Sequence, residues 1–517
     1  MLTGFTVSRS KLYTLLGSSW ICLLSGILMA FAYAPVSQAW LVFFLLLPLW
    51  IVARHPDPNT RIWRGWLFGL GYFPIGASWF AQTLRTHLDY SWPTALAGHL
   101  LITGACALAP TVFCWLAGYC KAKSFAKVLA LAALWMVIED IRFQAFGGGP
   151  WMSLGLSQVD MPFAGLFPLV GELGTSFFVA LVVGVLAWMF FGDEDKASSW
   201  ISAKRCLLGF VFIGLLLLTT HSLKQIEWTR SVGEPQPIAL VQSAVTQDEK
   251  KNLASQVERL QVLITLSDPF LAKARLIIWP ETVVTLDRFD VNQKLRAFHE
   301  KAIFSRSSVL VGAYEPGLSG KRYNTAYTIG FESGQAYQKR HLVPFGEYVP
   351  KPLSFLDDYV PGDTYRYHGR MPSLIANSGV LYGISICWEG SFSRDISPLT
   401  RAGAHALINI ANEAWFAGST LPWQNLDAMR VRAMENGRYA VRVANYGPGA
   451  IIDHKGQISH LIEADQMAGE LGYIQPRTGV TPFMFLGEDL LTLMALFLLL
   501  GIVLKNRTKQ VLHAGKS

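Results

Sequence analysis

Long apolar segments occupy most of the first 224 residues, and a further one lies close to the C-terminus. They lie near residues 12–34, 36–53, 65–84, 92–120, 124–141, 161–191, 206–223 and 490–504. An α-helix needs about 20 mostly apolar residues to cross the hydrocarbon core of a bilayer. The pattern therefore predicts a polytopic α-helical membrane domain of about eight spans, of which seven precede residue 225.

Between residues 225 and 480 the apolar runs are short and alternate with polar and helical stretches. The strand-like runs are 237–242, 274–281, 307–315, 323–330, 380–389, 406–413 and 439–447, and helical patterns fit 248–265, 291–305 and 423–437. Several strand-like runs are apolar on both faces, which is typical of a sheet covered on both sides. We predict a transmembrane domain at 1–224, a layered α/β domain at 225–480, and a C-terminal helix with a tail at 481–517.

The charge pattern supports a membrane protein and argues against a nucleic-acid partner. The formal net charge is +8, but the Lys and Arg residues lie mostly at the ends of apolar segments, where they set membrane orientation. If the N-terminus lies inside the cell, the only Lys or Arg residues in the outside loops among the first seven spans are Arg85 and Arg142. This bias predicts that residues 225–480 lie outside the cytoplasm, which in a bacterium is the periplasm.

Glu172 stands within the otherwise apolar segment 161–191, shortly after a glycine- and aromatic-rich loop at 146–158. A carboxylate inside a membrane is costly and often marks a functional site. A second interpretation is that Glu172 lies near the membrane interface and is solvated. The sequence leaves both interpretations open.

Cys387 is the one cysteine of the polar half, and the other five lie in or beside the long apolar segments. A single cysteine on a buried strand is more often a packing residue than a nucleophile. To react, its thiol needs a base or a positive field. Glu281 and Lys339, each at a strand or loop edge, are candidates, because a carboxylate can take the thiol proton and an ammonium can stabilise an oxyanion. The cysteine spacing predicts neither a disulfide framework nor a metal site.

The segments around these residues resemble the nitrilase superfamily, whose members use a Glu-Lys-Cys triad on an αββα sandwich. The matching motifs are IIWPE (277–281), KRHLVPFGEYVP (339–350), ISICWEG (384–390), ANEAWF (411–416) and RAMENGR (432–438). With FAYAP (31–35), GGPWMSLGLSQ (148–158) and the apolar segments added, the whole chain resembles the membrane-embedded branch, the bacterial apolipoprotein N-acyltransferases. The resemblance implies about eight membrane spans plus a periplasmic nitrilase-like αββα sandwich.

Carried over by position, the resemblance makes Glu281 the general base, Lys339 the oxyanion-stabilising cation and Cys387 the nucleophile. It implies supporting or substrate-binding roles for five further residues, Glu347, Trp388, Glu389, Trp415 and Phe416. For the last two, anchoring at a membrane interface is an equally good interpretation. The chain departs from the family pattern at Lys251, Glu413 and Tyr446, which leads us to expect altered loop contacts.

The reaction implied by the resemblance is the last step of lipoprotein maturation. Cys387 would take the sn-1 acyl chain of a membrane phospholipid as a thioester, and the α-amine of the N-terminal diacylglyceryl-cysteine of an apolipoprotein would then take it as an amide. The resemblance implies no metal, no organic cofactor, a monomer and the bacterial inner membrane. Two alternatives remain, namely a membrane-tethered nitrilase-type amidase or hydrolase, and a transporter or scaffold whose polar domain only binds.

Overall fold

The computed structural model describes residues 9–514 apart from 88, 121, 123, 193–202, 253–254, 283–290, 292, 318–321, 352–353, 356–366 and 370–372. The chain divides into two compact units. Unit 1 comprises residues 1–226 and 488–517, and unit 2 comprises residues 227–487. The described part of unit 1 is helical, whereas all the described strands belong to unit 2.

The helices of unit 1 coincide with the apolar segments of the sequence. They are α1 (Arg9–Leu16), α2 (Ser19–Met29), α3 (Leu41–Leu45), α4 (Leu47–Val52), α5 (Pro58–Gly76), α6 (Trp79–His87), α7 (Trp92–Cys106), α8 (Leu108–Ala117), α9 (Ser124–Gln144), α10 (Phe167–Phe191) and α11 (Ala203–Leu223). The final helix of the chain, Pro482–Ala514, is interrupted at Gly487 and enters unit 1 at residue 488.

Each predicted span falls on helical residues, but several spans are divided. Four stretches are long and apolar enough to cross a membrane, judged by length and composition: Trp92–Ala117, Pro162–Phe191, Ala203–Leu223 and Pro482–Lys505. The predicted spans 12–34 and 36–53 contain shorter apolar helices, Ser19–Ala32 and Leu41–Val52. The membrane character of the chain is thus supported, while eight spans and their orientation stay predictions.

Glu172 is buried within unit 1. It follows Gly171, whose φ of 63° interrupts the helix, and it accepts a hydrogen bond from the hydroxyl of Ser153. Glu139 of α9 accepts the backbone N–H of Leu154 from the same loop at 3.0 Å. Two buried carboxylates therefore hold the glycine- and aromatic-rich loop, and a solvated Glu172 does not fit this arrangement.

Unit 2 is built on two six-stranded sheets and one short strand pair. The strands are β1 (Arg230–Ser231), β2 (Gln236–Gln242), β3 (Leu276–Ile278), β4 (Ser308–Pro316), β5 (Arg322–Gly330), β6 (Ala336–Gln338), β7 (Leu374–Asn377), β8 (Val380–Ile386), β9 (Ala406–Asn412), β10 (Tyr439–Asn445), β11 (Gly449–Ile452), β12 (Ile458–Ile462), β13 (Ala468–Ile474) and β14 (Arg477–Thr478). The first sheet has the order β13-β2-β3-β4-β5-β6 and the second has the order β12-β11-β10-β9-β8-β7. Strands β2-β3-β4 and β8-β9-β10 are parallel, so each set ends at one edge of its sheet.

The two sheets pack face to face, with helices on both outer faces. The helices are α12 (Gln247–Lys251), α13 (Gln256–Ser267), α14 (Arg296–Phe304), α15 (Ser393–Arg401) and α16 (Leu421–Asn436). Ile238 of the first sheet and Ile408 of the second share the central apolar layer. The next residue in β2, Ala239, points the other way and packs in a layer with Leu263 of α13. Both faces of each sheet are therefore buried, as the two-sided apolar runs predict, and the expected αββα sandwich is confirmed.

All seven predicted strands are present, with shifted ends. The run 274–281 contributes only Leu276–Ile278, because Pro280 has no N–H with which to continue the ladder. Five strands of the two sheets fall outside every predicted run, namely β6, β7, β11, β12 and β13. They are short or half-exposed, so their hydrophobic pattern is weak.

Candidate active site

Glu281 follows β3 at the carboxyl edge of the first sheet. The strand ends at Ile278, and the turn through Pro280 passes close to Gly312 of β4. A Cβ atom at position 312 would lie 2.8 Å from the Glu281 Cα, so glycine is required for this approach. The turn leaves Glu281 buried, with 5% of its surface exposed.

Both carboxylate oxygens of Glu281 accept hydrogen bonds. Nδ2 of Asn324 in β5 donates to Oε1 at 2.5 Å, and the backbone N–H of Asn412 donates to Oε2 at 2.8 Å. Asn412 is the last residue of β9, so this carboxylate connects the edges of the two sheets. Donors from two directions hold the carboxylate in one orientation.

Lys339 follows β6 and is almost completely buried. Its Nζ lies 3.0 Å from both Oε1 and Oε2 of Glu347 and 3.5 Å from Oε1 of Glu281. Burial by itself lowers the pKa of Lys339, but Glu347 and then Glu281 outweigh it and raise the pKa above its ordinary value. The side chain is therefore a permanent ammonium around neutral pH.

Glu347 is held by the same loop that carries Lys339. Its Oε2 accepts the backbone N–H of Val343 at 2.8 Å, and its Oε1 lies 3.4 Å from Nδ2 of Asn324. The Asn324 amide thus contacts both carboxylates that face the lysine. Glu281, Asn324, Lys339 and Glu347 form one hydrogen-bonded group, which we call the carboxylate–lysine cluster.

Strand β8 delivers Cys387 to the carboxyl edge of the second sheet, where the chain turns into a 3₁₀ segment. Cys387 has a φ of 57°, a left-handed conformation that residues with side chains seldom adopt and that often occurs at functional sites. Burial raises the pKa of its thiol, the Glu281 carboxylate raises it further, and Lys339 opposes the shift. The thiol is therefore neutral at pH 7 and needs a base in order to react.

Glu389 connects the turn at Cys387 to the loop after β6. Its Oε2 accepts the backbone N–H of Ile386 at 2.7 Å. Its Oε1 accepts the backbone N–H groups of Arg340 at 2.7 Å and His341 at 2.9 Å. Burial and then Asp395 raise the pKa of Glu389, although the backbone donors of His341 and Ile386 oppose the shift. One buried carboxylate thus fixes the residue before the cysteine and the two residues after the lysine.

The three predicted aromatic residues lie on two turns. The Trp388 ring is buried and packs edge-on against His341 and Phe392, with ring centroids 5.3 and 5.0 Å away. Trp415 and Phe416 are half-buried in the 3₁₀ turn that follows β9. That turn comes directly after Asn412 and Glu413. Both aromatics therefore lie close in the chain to Asn412, whose backbone N–H donates to Glu281. Their role as substrate contacts or as interface anchors stays a prediction.

Three polar residues of the site were missed by the sequence analysis: Asn324, Asn409 and Arg442. Asn324 bridges the two carboxylates, and Asn409 donates from Nδ2 to the Cys387 carbonyl at 3.0 Å. Asn409 and Arg442 each stand within a mostly apolar, buried strand. Because a buried polar side chain needs a partner, this interruption of the pattern is a usable indication of a polar network.

Two of the three departures from the family pattern can be placed. Glu413 is buried, and its Oε1 lies 2.5 Å from Nη2 of Arg442, so an ion pair accommodates it. Tyr446 follows β10 with a φ of 63°, in which a tyrosine is strained. The side chain of Lys251 lies outside the described residues.

The site combines a neutral, partly buried thiol, a hydrogen-bonded carboxylate and a permanent ammonium. The carboxylate can accept the thiol proton, and the ammonium can stabilise a negative oxygen. These groups meet the requirements of acyl transfer through a thioester. Among the described residues, there is no group of three or more His, Cys, Asp or Glu side chains that could hold a metal ion.

Two family models match the chain. Residues 237–474 match the carbon-nitrogen hydrolase model, and residues 25–186 match the model of the apolipoprotein N-acyltransferase N-terminal domain. The αββα fold of unit 2 agrees with the first match. Unit 2 is therefore a carbon-nitrogen hydrolase domain.

Curated relatives match nearly the full length of the chain. The apolipoprotein N-acyltransferase of Methylococcus capsulatus is 31% identical over 480 residues, which cover 90% of this chain and 92% of the relative. That of Azotobacter vinelandii is 31% identical over 506 residues, 95% of each protein. That of Haemophilus influenzae is 29% identical over 501 residues, 93% of each protein. The chain belongs to the apolipoprotein N-acyltransferase family.

Proposed function

We propose that this protein transfers the sn-1 acyl chain of a membrane phospholipid to the α-amine of the N-terminal diacylglyceryl-cysteine of apolipoproteins. Family membership supports the reaction class. The structural observation that carries the proposal is the buried Lys339 ammonium between Glu281 and Glu347, whose charges act on the Cys387 thiol. This arrangement fits a covalent acyl-enzyme route.

In the first step, Glu281 takes the thiol proton of Cys387 while the sulfur attacks the ester carbonyl carbon. The carbonyl oxygen becomes negative and is stabilised by the Lys339 ammonium. When the tetrahedral intermediate collapses, the carbon–oxygen bond to glycerol breaks, and the leaving oxygen takes the proton from Glu281. The products are a thioester on Cys387 and a lysophospholipid.

In the second step, the lipoprotein α-amine attacks the thioester carbon. Glu281 takes a proton from the amine nitrogen, Lys339 again stabilises the oxyanion, and the carbon–sulfur bond breaks. The proton returns to the sulfur, which leaves an amide on the lipoprotein and the free thiol of Cys387. Two half-reactions that share one enzyme form predict ping-pong kinetics.

We assign supporting roles to five residues around this centre. Glu347 shares the charge of Lys339, Glu389 fixes the turn at Cys387, and Trp388 packs behind that turn. Trp415 and Phe416 are proposed to contact or admit the lipid substrates. The residues that carry the chemistry are therefore Glu281, Lys339 and Cys387, with no metal or organic cofactor required.

The proposed organisation follows from the charge pattern and the lipid substrates. Residues 1–224 and 481–517 would form about eight spans in the bacterial inner membrane, and residues 225–480 would face the periplasm. Because both substrates are lipid-anchored, the site would open toward the outer leaflet. A monomer would suffice, since one chain supplies all three groups.

The test uses the purified full chain in detergent or vesicles with a phospholipid labelled in its sn-1 chain. Mass spectrometry should show an acyl adduct on Cys387, and addition of a diacylated lipopeptide should move the label to the peptide amine. Cys387→Ala should lose both products, whereas the matched control Cys206→Ala should retain them. Release of free fatty acid alone would favour the hydrolase alternative, and unchanged acylation by Cys387→Ala would contradict the proposal.

A further inference from the structure

The left-handed turn at Cys387 needs support on both sides, because its backbone conformation is unfavourable for a residue with a side chain. Before the cysteine, Glu389 accepts the N–H of Ile386. After it, the Cys387 carbonyl accepts a hydrogen bond from Nδ2 of Asn409 at 3.0 Å. The carbonyl belongs to the peptide that joins Cys387 to Trp388, so Asn409 fixes the plane of that peptide.

Asn409 is well placed for this contact by strand register. It lies directly opposite Ser385 in β8 and Arg442 in β10, so the three side chains form a row across the parallel strands. Nδ2 of Asn409 also donates to the Ser385 hydroxyl at 3.0 Å. The amide therefore spans the last residues of the strand and the first residue of the turn.

Arg442 determines which way the Asn409 amide faces. Nη1 of Arg442 donates to Oδ1 of Asn409 at 2.6 Å, so a flipped amide would point its NH₂ group at the guanidinium. Nη2 of Arg442 pairs with Glu413, which also accepts from Nδ2 of Asn425 at 2.7 Å. Arg442 and Glu413 are each about 1% exposed, and Asn409 is fully buried.

This row is not needed merely to fill the sheet face. Ala440, two residues earlier on the same face of β10, packs in an apolar layer with α15 and α16, and an apolar side chain at position 442 would avoid the cost of burying a charge. Arg442 instead belongs to a continuous chain of polar contacts. This chain runs from Glu413 through Arg442 and Asn409 to the Cys387 carbonyl. The row ends at the nucleophile.

We propose that Asn409, oriented by Arg442, is a positioning residue that holds the Cys387–Trp388 peptide and thereby directs the thiol toward the carboxylate–lysine cluster. Because the peptide is trans and planar, fixing its carbonyl also fixes the Trp388 N–H on the opposite side. An N–H directly after a nucleophile is a common oxyanion donor. This inference rests on the proposed function of Cys387 and adds Asn409 and Arg442 to its supporting structure.

The decisive variant is Asn409→Asp, which keeps the shape of the side chain and the pairing with Arg442. It replaces the donor facing the Cys387 carbonyl by a carboxylate oxygen. The rate constant of Cys387 acylation should fall about tenfold or more, with little change in the phospholipid concentration that gives half-maximal rate. The matched control is Asn377→Asp at the far end of the same sheet, where the buried amide donates to Ser308, and it should acylate at the wild-type rate.

Asn409→Ser provides a second variant that introduces no charge but removes the amide, and the same loss is expected. Melting temperatures show whether each variant is folded. Wild-type acylation by a folded Asn409→Asp or Asn409→Ser protein would overturn the inference.

Alkylation of Cys387 by iodoacetamide separates this inference from the proposed function, because it needs no lipid. Slower or faster alkylation in Asn409→Asp than in Asn377→Asp would support a positioning role even if wild-type protein formed no thioester. Equal alkylation rates in both variants and the wild type would contradict it. Absence of the thioester in wild-type protein would overturn only the proposed function.

Discussion

Nζ of Lys339 lies 3.0 Å from the Glu347 carboxylate and 3.5 Å from that of Glu281, so the ammonium is closer to the supporting carboxylate than to the proposed base. Glu347 therefore takes up much of the positive charge. Glu281 is therefore not the sole partner of the lysine. The site thus keeps an ammonium and a usable base within one buried group.

Glu347→Gln tests this division of charge. Without Glu347, Lys339 would pair with Glu281 alone, which weakens Glu281 as a base and lowers the rate of thioester formation by about 100-fold. The measurement is single-turnover acylation followed by mass spectrometry. Glu300→Gln, which removes an exposed partner of Arg296, serves as the control and should have wild-type rates. Equal rates in Glu347→Gln and wild type would show that Glu281 does not depend on Glu347.

Asn324→Asp should disrupt the carboxylate–lysine cluster. The change removes the donor that bridges Glu281 and Glu347 and adds a third carboxylate beside one lysine. We expect acylation to fall by at least about 100-fold and the free energy of unfolding to decrease by about 2–3 kcal/mol. Activity assays and thermal melts check this, with Asn377→Asp as the matched control. A variant with wild-type melting and activity would exclude the bridging role.

Glu389→Gln should destabilise the turn at Cys387. A neutral amide offers one acceptor oxygen in place of two charged ones, whereas the native carboxylate accepts three backbone N–H groups. Hydrogen bonds to charged groups contribute about 1.5–3 kcal/mol each, so a loss of about 2–3 kcal/mol in stability is expected. A shift of the thermal midpoint measures it. Glu332→Gln, at a carboxylate that accepts the N–H of Ser378, should cause a clearly smaller shift.

Lys250 predicts a pH dependence of stability. Its Nζ donates to the Thr282 hydroxyl at 3.3 Å, and burial lowers its pKa to about 7, although Glu281 opposes the shift. Lysine in the unfolded chain titrates near 10.5. Between these two values the unfolded chain holds a proton that the native protein has released. The contribution of Lys250 to the free energy of unfolding therefore rises with pH across this window, by up to about 1.4 kcal/mol per pH unit. This contribution is lowest at and below pH 7.

Lys250→Met should remove this contribution. Its melting midpoint should exceed that of the wild type at pH 7, and the two should converge toward pH 10.5. The control is Lys301→Met, because Lys301 is exposed and pairs with Asp268 on the surface. Parallel curves for wild type and Lys250→Met would contradict the prediction.

The sequence predicts those secondary-structure elements whose hydrophobic pattern is clear, and it misses those whose pattern is weak. Strands such as β2 and β9 are mostly apolar and buried and were predicted, whereas β12 and β13 are half-exposed and were not. Strand order and the pairing of two sheets depend on contacts between distant residues. For this reason local periodicity could indicate covered sheets but could not give the order β13-β2-β3-β4-β5-β6.

The candidate site divides in the same way. Glu281, Lys339 and Cys387 were predicted as site residues because each stands at a strand or loop edge, within a motif that resembles the nitrilase superfamily. Asn324 and Asn409 were not identified, because their importance arises only from what they contact across the sheets.

The sequence by itself determined a chain with long apolar helices, a sandwich of covered sheets, and three candidate reactive side chains. Those properties follow from residue type and spacing along the chain. Only the tertiary structure decided that one asparagine contacts two carboxylates, that Glu389 links the cysteine turn to the lysine loop, and that Arg442 orients Asn409 toward Cys387. Buried polar groups need hydrogen-bond partners because they are removed from water. Which partners are within reach depends on the three-dimensional fold, because the residues are far apart in the sequence.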